Sequence, residues 1–173
     1  PARAGVRGLL GRSLARPAAT LVLVEHRVDK AVSLVDRVVV YGAMDLDGTF
    51  SPDTVTFEGT GQQIQGGLDY QHIVVHDTVA FAGDADVSGN VLVNDFGLLD
   101  IGGHTVSIAG GLHTDEVGKL KMQHAEGVLR IAGAALFEGG ETNGLLTAGT
   151  IEAAGDFIQR RGSRGCCTGY PRS

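Results

Sequence analysis

The segments VSIAGGLHT (106–114) and LRIAGAALF (129–137) decide the fold. Superposed on Gly110 and Gly133, they align Val106 with Leu129, Ile108 with Ile131 and Leu112 with Ala135. Apolar residues at every second position are the signature of a strand with one buried face. A glycine between two such runs lets the chain turn a corner that a β-branched residue resists. Three further segments carry the same pattern: VVVYGAMDL (38–46), VAFAGDADV (79–87) and IEAAGDFIQ (151–159), aligned on Gly42, Gly83 and Gly155.

The intervals between these glycines are unequal. Gly110 to Gly133 and Gly133 to Gly155 are nearly the same, Gly83 to Gly110 is slightly longer, and Gly42 to Gly83 is close to double. The last three intervals suit one solenoid turn each and the first suits two, with TVTFEGTGQQIQGG (54–67) and QHIVVHD (71–77) supplying the intervening strands. A unit with so few inward residues cannot bury them alone, so neighbouring units must stack. The expected fold is all-β, a short right-handed parallel β-solenoid over 18–159 with its best-defined coils in 38–159. The rival is an antiparallel β-sandwich, which alternates as well but does not require a glycine at one fixed phase. Hairpin signals are scarce: Asp47-Gly48 and Asn143-Gly144 fall in loops and not between equal strands. Residues 20–41 admit two readings. TLVLVEH (20–26) reads as a strand, and Val24, Val28, Val32, Val35 and Val39 also fit a helical stripe. Their β-branched character favours strands or an irregular first coil.

The chain has 173 residues and 17.9 kDa, enough for one domain with a core. Its 27 glycines lack the three-residue period of collagen. No run approaches the roughly 18 apolar residues of a spanning helix. Charge is segregated. Residues 1–16 carry Arg3, Arg7, Arg12 and Arg16, and residues 160–173 carry Arg160, Arg161, Arg164 and Arg172, both without an acid. The body between holds all 20 acidic residues against six basic ones, a balance of −14. Such a body opposes binding to a nucleic-acid backbone. The ends, 1–17 and 160–173, read as disordered basic tails. Cys166 and Cys167 are adjacent, without the spacing of a metal site. The first 20 residues lack the continuous apolar stretch of a signal peptide, and the expectation is a piece of a longer protein.

DTVTFEGTGQQIQGG (53–67), QHIVVHDTVAFAGDADVSGNVLV (71–93), LLDIGGHTVSIAGGL (98–112) and GLLTAGTIEAAGDFIQ (144–159) resemble the β-solenoid repeat regions of large secreted bacterial surface proteins of the adhesin and autotransporter-like class. The resemblance spans 46–159, and its most specific piece is TVTFEGTGQQI. It implies an extracellular structural or adhesive role; a polysaccharide or surface ligand is the partner expected of such a module, and terminal coils with open strand edges predict self-association or continuation into further coils. The resemblance brings no catalytic residues.

The remaining candidates for chemistry are few. His72 and His76 lie four apart, about 13 Å along a strand, too far to share a metal. Asp84, Asp86 and His113 are candidates for an outward cluster, because Asp86 and His113 take the same place in the aligned repeat. Parallel β-helix enzymes use carboxylates on such a face for acid–base work, so the second functional reading is a polysaccharide-active enzyme using Asp84 and Asp86. A cytoskeletal polymer of end-to-end solenoids is a third. The Gly-Gly-x-Gly-x-Asp calcium repeat, the phosphate-binding Gly-x-x-x-x-Gly-Lys and the nucleophile motif Gly-x-Ser-x-Gly are all absent. The outward positions lack the threonine ladder of an ice-binding face. No catalytic, cofactor-binding or metal residues are therefore expected, and no cofactor.

Overall fold

The computed structural model describes residues 36–41 and 52–160. Its first strand, β1 (Arg37–Val40), precedes a series of three-sided coils. The first coil comprises β2 (Thr54–Phe57), β3 (Gln62–Ile64) and β4 (Asp69–Tyr70). The second comprises β5 (His72–Val75), β6 (Thr78–Phe81) and β7 (Ala85–Val87). The third holds β8 (Val91–Val93), β9 (Leu98–Asp100) and β10 (Thr105–Ile108), and the fourth β11 (Leu112–Thr114), β12 (Lys119–Lys121) and β13 (Val128–Ile131). The fifth runs from β14 (Ala135–Phe137) to β15 (Thr150–Ala153), with a bridge from Leu146 to Met122 on its second side, and β16 (Phe157–Gln159) follows.

Corresponding strands pair in parallel into three sheets. The seven-stranded sheet runs β1-β2-β5-β8-β11-β14-β16, the four-stranded sheet β3-β6-β9-β12 and the five-stranded sheet β4-β7-β10-β13-β15. All strand pairs are parallel, which excludes the antiparallel sandwich. The protein is an all-β solenoid of about five turns, with no helix among the described residues. The terminal segments, Gly42, Cys166 and Cys167 lie outside the described residues, as do the strand and helix readings of 20–35.

The core is built from files of like-placed residues. On the seven-stranded sheet Val55, Ile73, Val91, Leu112 and Ala135 stack inward, beside Phe57, Val75, Val93, Thr114 and Phe137. Val79, Leu99 and Leu120 fill the second side, and Val106 and Leu129 with Ile108 and Ile131 fill the third. Each was expected inward or follows the same alternation, and all are buried. At the first coil Gln62 enters the interior in place of an apolar residue. Its Nε2 donates to the carbonyls of Val40 (2.7 Å) and Glu58 (2.8 Å), tying β1 to the corner after β2.

The glycine alignment needs two corrections: Val38 and Val40, aligned with Val106 and Ile108, instead pair with Val55 and Phe57 on the seven-stranded sheet, and Gly83 is out of phase as well. Gly110, Gly133 and Gly155 do share a corner, between the five- and seven-stranded sheets, where each amide donates to the carbonyl one coil earlier: Gly110 to Gly89, Gly133 to Gly110, Gly155 to Gly133. Gly83 instead lies between β6 and β7, at the corner before the five-stranded sheet, against Gly66. The true counterpart of Gly110 on the second coil is Gly89. On the seven-stranded sheet Thr54 pairs with His72, Ile73 with Val91, Val91 with Leu112, Leu112 with Ala135 and Ala135 with Phe157. The first two coils are therefore equal in length and the later ones longer. The interval from Gly83 to Gly110 is one coil plus one side.

Space is what these corners demand of glycine. A Cβ on Gly110 would stand 2.4 Å from the Gly89 carbonyl oxygen, and one on Gly118 would stand 2.1 Å from that of Val93. At the remaining corner a Cβ on Gly127 would stand 2.5 Å from the Gly102 oxygen. Where the chain turns sharply, one coil's backbone runs directly over the carbonyls of the last, and a side chain would wedge them apart. Glycine columns at all three corners account for much of the composition that first set this sequence apart.

Candidate functional site

With the interior filled, any chemistry belongs to the outward files, and the three sheets differ. The four-stranded sheet presents Gln63, Ala80, Asp100 and Lys121 in register, ending in a Lys121 Nζ–Asp100 Oδ2 ion pair of 2.7 Å. The five-stranded sheet presents Asp69, Asp86, Ser107, Arg130 and Glu152. Arg130 Nε donates to Glu152 Oε2 at 2.8 Å, leaving Asp69 and Asp86 as adjacent carboxylates at the other end. A second outward line of Ser88, Ala109, Ala132 and Ala154 borders them, and the two lines border an open concavity of about 710 Å³. Small side chains on one line beside long ones on the next create this shallow trough.

The expected cluster of Asp84, Asp86 and His113 does not form. Asp86 pairs in register with Ser107 and Asp69 on the five-stranded sheet, whereas His113 pairs with Leu92 and Leu136 on the seven-stranded sheet. The misplaced Gly83 put Asp86 one side out of register. His113 Nε2 lies 3.3 Å from Glu138 Oε2, and Glu138 also takes an Arg160 guanidinium contact. Asp84 is committed to the fold: its Oδ1 accepts from the Thr105 amide at 2.8 Å, one coil later, and stands 3.9 Å from His104 Nδ1. It does not line the trough, whereas Asp86 does.

His72 and His76 also link coils. His72 Nδ1 accepts from the Asn90 amide at 3.0 Å, and Asn90 Oδ1 accepts from the Gly111 amide at 2.8 Å. His76 Nδ1 stands 3.6 Å from both Glu58 Oε1 and Asp95 Oδ2. No group of three or more His, Cys, Asp or Glu could hold a metal ion among the described residues. Tyr70 is fully buried and its hydroxyl donates to the Gln65 carbonyl at 3.0 Å. Burial pushes its pKa well above the usual phenol value, so it serves as a neutral core residue.

The feature that sequence reasoning missed is the Asp69–Asp86 adjacency. Asp69 sits on a two-residue strand outside every aligned segment, so no repeat position assigned it. Comparisons of the chain with protein-family models, with curated proteins and with solved structures returned no match. No helix among the described residues is long and apolar enough to cross a membrane.

Proposed function

We propose that this chain is a structural or adhesive β-solenoid module of a secreted or cell-surface protein, without catalysis of its own. The observation that carries the reading is where its polar groups go. Asp84, His72, Asn90 and Gln62 each bind the backbone of a neighbouring coil or corner, so they hold the stack together and do not converge on a reacting centre. Such a stack extends by repetition and displays its outward files to a polysaccharide or surface ligand. The resemblance of 53–67 and 71–93 to secreted solenoid regions supports the location.

The strand edges support self-association. Beyond β15 and β16 no further strand pairs among the described residues, and Leu146 and Phe157 are 40% and 58% exposed there. Open edges with apolar residues invite another coil. Protease shaving of intact source cells tests the location: loss of an antibody signal for 52–160 is expected, and retention in intact cells with loss only after lysis would overturn it. The intact mass of the native protein is expected to be several-fold above the 17.9 kDa of this chain. The trough favours one alternative, a polysaccharide-active enzyme using Asp86 with Asp69 beside it, Asp84 standing outside the trough. Reducing-sugar release from acidic polysaccharides that disappears in both Asp69→Ala and Asp86→Ala would replace the module reading with this one.

A further inference from the structure

The outward centre of the seven-stranded sheet is unlike the other two faces. In register it reads Val39, Thr56, Val74, Leu92, His113, Leu136 and Ile158, with five of the seven positions apolar. The corresponding lines of the other sheets carry Asp69, Asp86, Arg130 and Glu152, or Asp100 and Lys121. Apolar residues on both sides of a parallel sheet are the pattern of a sheet covered on both faces. Val74 with Leu92 and Leu136 with Ile158 form two half-buried apolar pairs on either side of His113, and an apolar surface rimmed by polar groups marks an interaction site.

Its rims are unequal. At the corner toward the four-stranded sheet the stacked positions read Glu58, His76, Asn94, Asp115, Glu138 and Arg160, with Asp95 and Glu116 one residue further on, so carboxylates outnumber basic groups along this rim. His76 stands against Glu58 and Asp95, and His113 and Arg160 against Glu138, which leaves Asp115 and Glu116 as the rim carboxylates with no ion pair among the described residues. The opposite rim carries Arg37, Thr54, His72, Asn90, Gly111, Ala134 and Asp156, its one arginine balanced by one carboxylate, and is nearly neutral. The dimensions follow from strand spacing: six steps of about 4.8 Å give a line of roughly 29 Å, and strands of three or four residues give a width of about 10–13 Å. An α-helix is about 10–12 Å across and covers that length in roughly 19 residues.

We infer that the outer face of the seven-stranded sheet docks an amphipathic helix of a partner protein, its apolar side on Val74, Leu92 and Leu136 and a basic flank along the carboxylate rim. A second copy of this chain fits less well. A face of roughly 350 Å² falls far below the about 800 Å² per partner of a stable complex. The second copy would also bring its own carboxylate rim and no basic flank. An anionic membrane surface meets the same carboxylates with like charge. The inference names the binding face of the proposed module and rests on that reading.

The test uses the full chain and two 20-residue helical peptides with the same leucine stripe, one flanked by lysines and one by glutamates. In fluorescence anisotropy at low salt, the lysine peptide is expected to bind with a dissociation constant of about 10–100 μM, and the glutamate peptide at least tenfold more weakly. Leu92→Gln with Leu136→Gln should weaken the lysine peptide at least tenfold. Asp95→Asn with Asp115→Asn should weaken it several-fold and flatten its salt dependence. These side chains point outward, so circular dichroism should be unchanged, and Arg130→Gln on the five-stranded sheet should leave binding intact. Equal binding of both peptides, binding of neither, or insensitivity to the Leu92 and Leu136 pair overturns the inference. So does a dimer in sedimentation, or adsorption to phosphatidylserine vesicles, that Leu92→Gln abolishes; these reassign the face to a second copy or to lipid. Sugar release by the chain would instead overturn the module reading alone, with the peptide result still deciding this face.

Discussion

Replacing Gly110 by alanine sets two opposite expectations against each other. Its φ is outside the left-handed region, so by backbone conformation alone the substitution should stabilise by about 0.4–1 kcal/mol through the unfolded chain. The stack says otherwise. The new Cβ would lie 2.4 Å from both the Gly89 carbonyl oxygen and Asn90 Oδ1, where even a tight contact needs 3.0 Å or more. The corner must open by several tenths of an ångström, straining the Gly110-to-Gly89 bond and the Gly111-to-Asn90 bond, each 2.8 Å. Overpacking at about 1–3 kcal/mol with two weakened hydrogen bonds at about 0.5–1.5 kcal/mol each, less the gain through the unfolded chain, places the net destabilisation at about 1–5.5 kcal/mol. The internal control is Gly103→Ala, whose Cβ meets only the His124 side chain at 3.7 Å and whose effect should be neutral or stabilising. Urea unfolding followed by far-ultraviolet circular dichroism reads both as shifts in midpoint at unchanged slope. Equal midpoints for the two variants would refute the claim that these corner glycines are there for space.

Tyr70 gives the stability an alkaline limit. Its folded-state pKa is raised by burial above an unfolded value of about 10, so its contribution is complete below pH 10 and declines as pH climbs toward the folded value. Wild-type stability should fall by up to about 1.4 kcal/mol per pH unit from this group, and Tyr70→Phe should remove that slope in urea titrations between pH 9 and 11.5. At pH 8 the same variant should lose about 1 kcal/mol with its bond to the Gln65 carbonyl. Leu99→Ala, at a fully buried position midway up the stack, should destabilise by about 2–5 kcal/mol in the same assay. Phe157→Ala, half exposed and touching Phe137 at 5.2 Å between centroids, should lose less than half as much.

The inward face of each coil was legible because alternation is a local property: Val106, Ile108, Leu112 and Thr114 point inward whichever side of the coil they occupy. The side was not legible, for the same reason. Every corner joins two strands of the same period, so a strand–glycine–strand segment from one corner aligns well with one from another. VAFAGDADV therefore matches VSIAGGLHT although the first turns at Gly83 and the second at Gly110. That slip alone produces the expected meeting of Asp86 with His113. The neighbours that do matter, Asp69 beside Asp86 and Leu92 beside His113, are set by coil lengths that grow from the Thr54–His72 step to the Leu112–Ala135 step. Those lengths depend on how much chain each corner takes: the connection from Val93 to Leu98 is longer than the one from Val75 to Thr78 below it, and the connection from Lys121 to Val128 is longer than the one from Asp100 to Thr105.

Because the ladder hydrogen bonds run along the stack, the molecule is mechanically directional. β1 and β16 lie at opposite edges of the seven-stranded sheet, so tension applied through them pulls along the axis and loads the outermost coil first. Each coil is bonded only to its neighbours, and it peels away while those beneath remain intact. A coil of about 20 residues releases roughly 70 Å of chain as it goes. A shaft of such coils yields in small repeated steps and dissipates work at each one, which makes it a shock absorber as much as a strut.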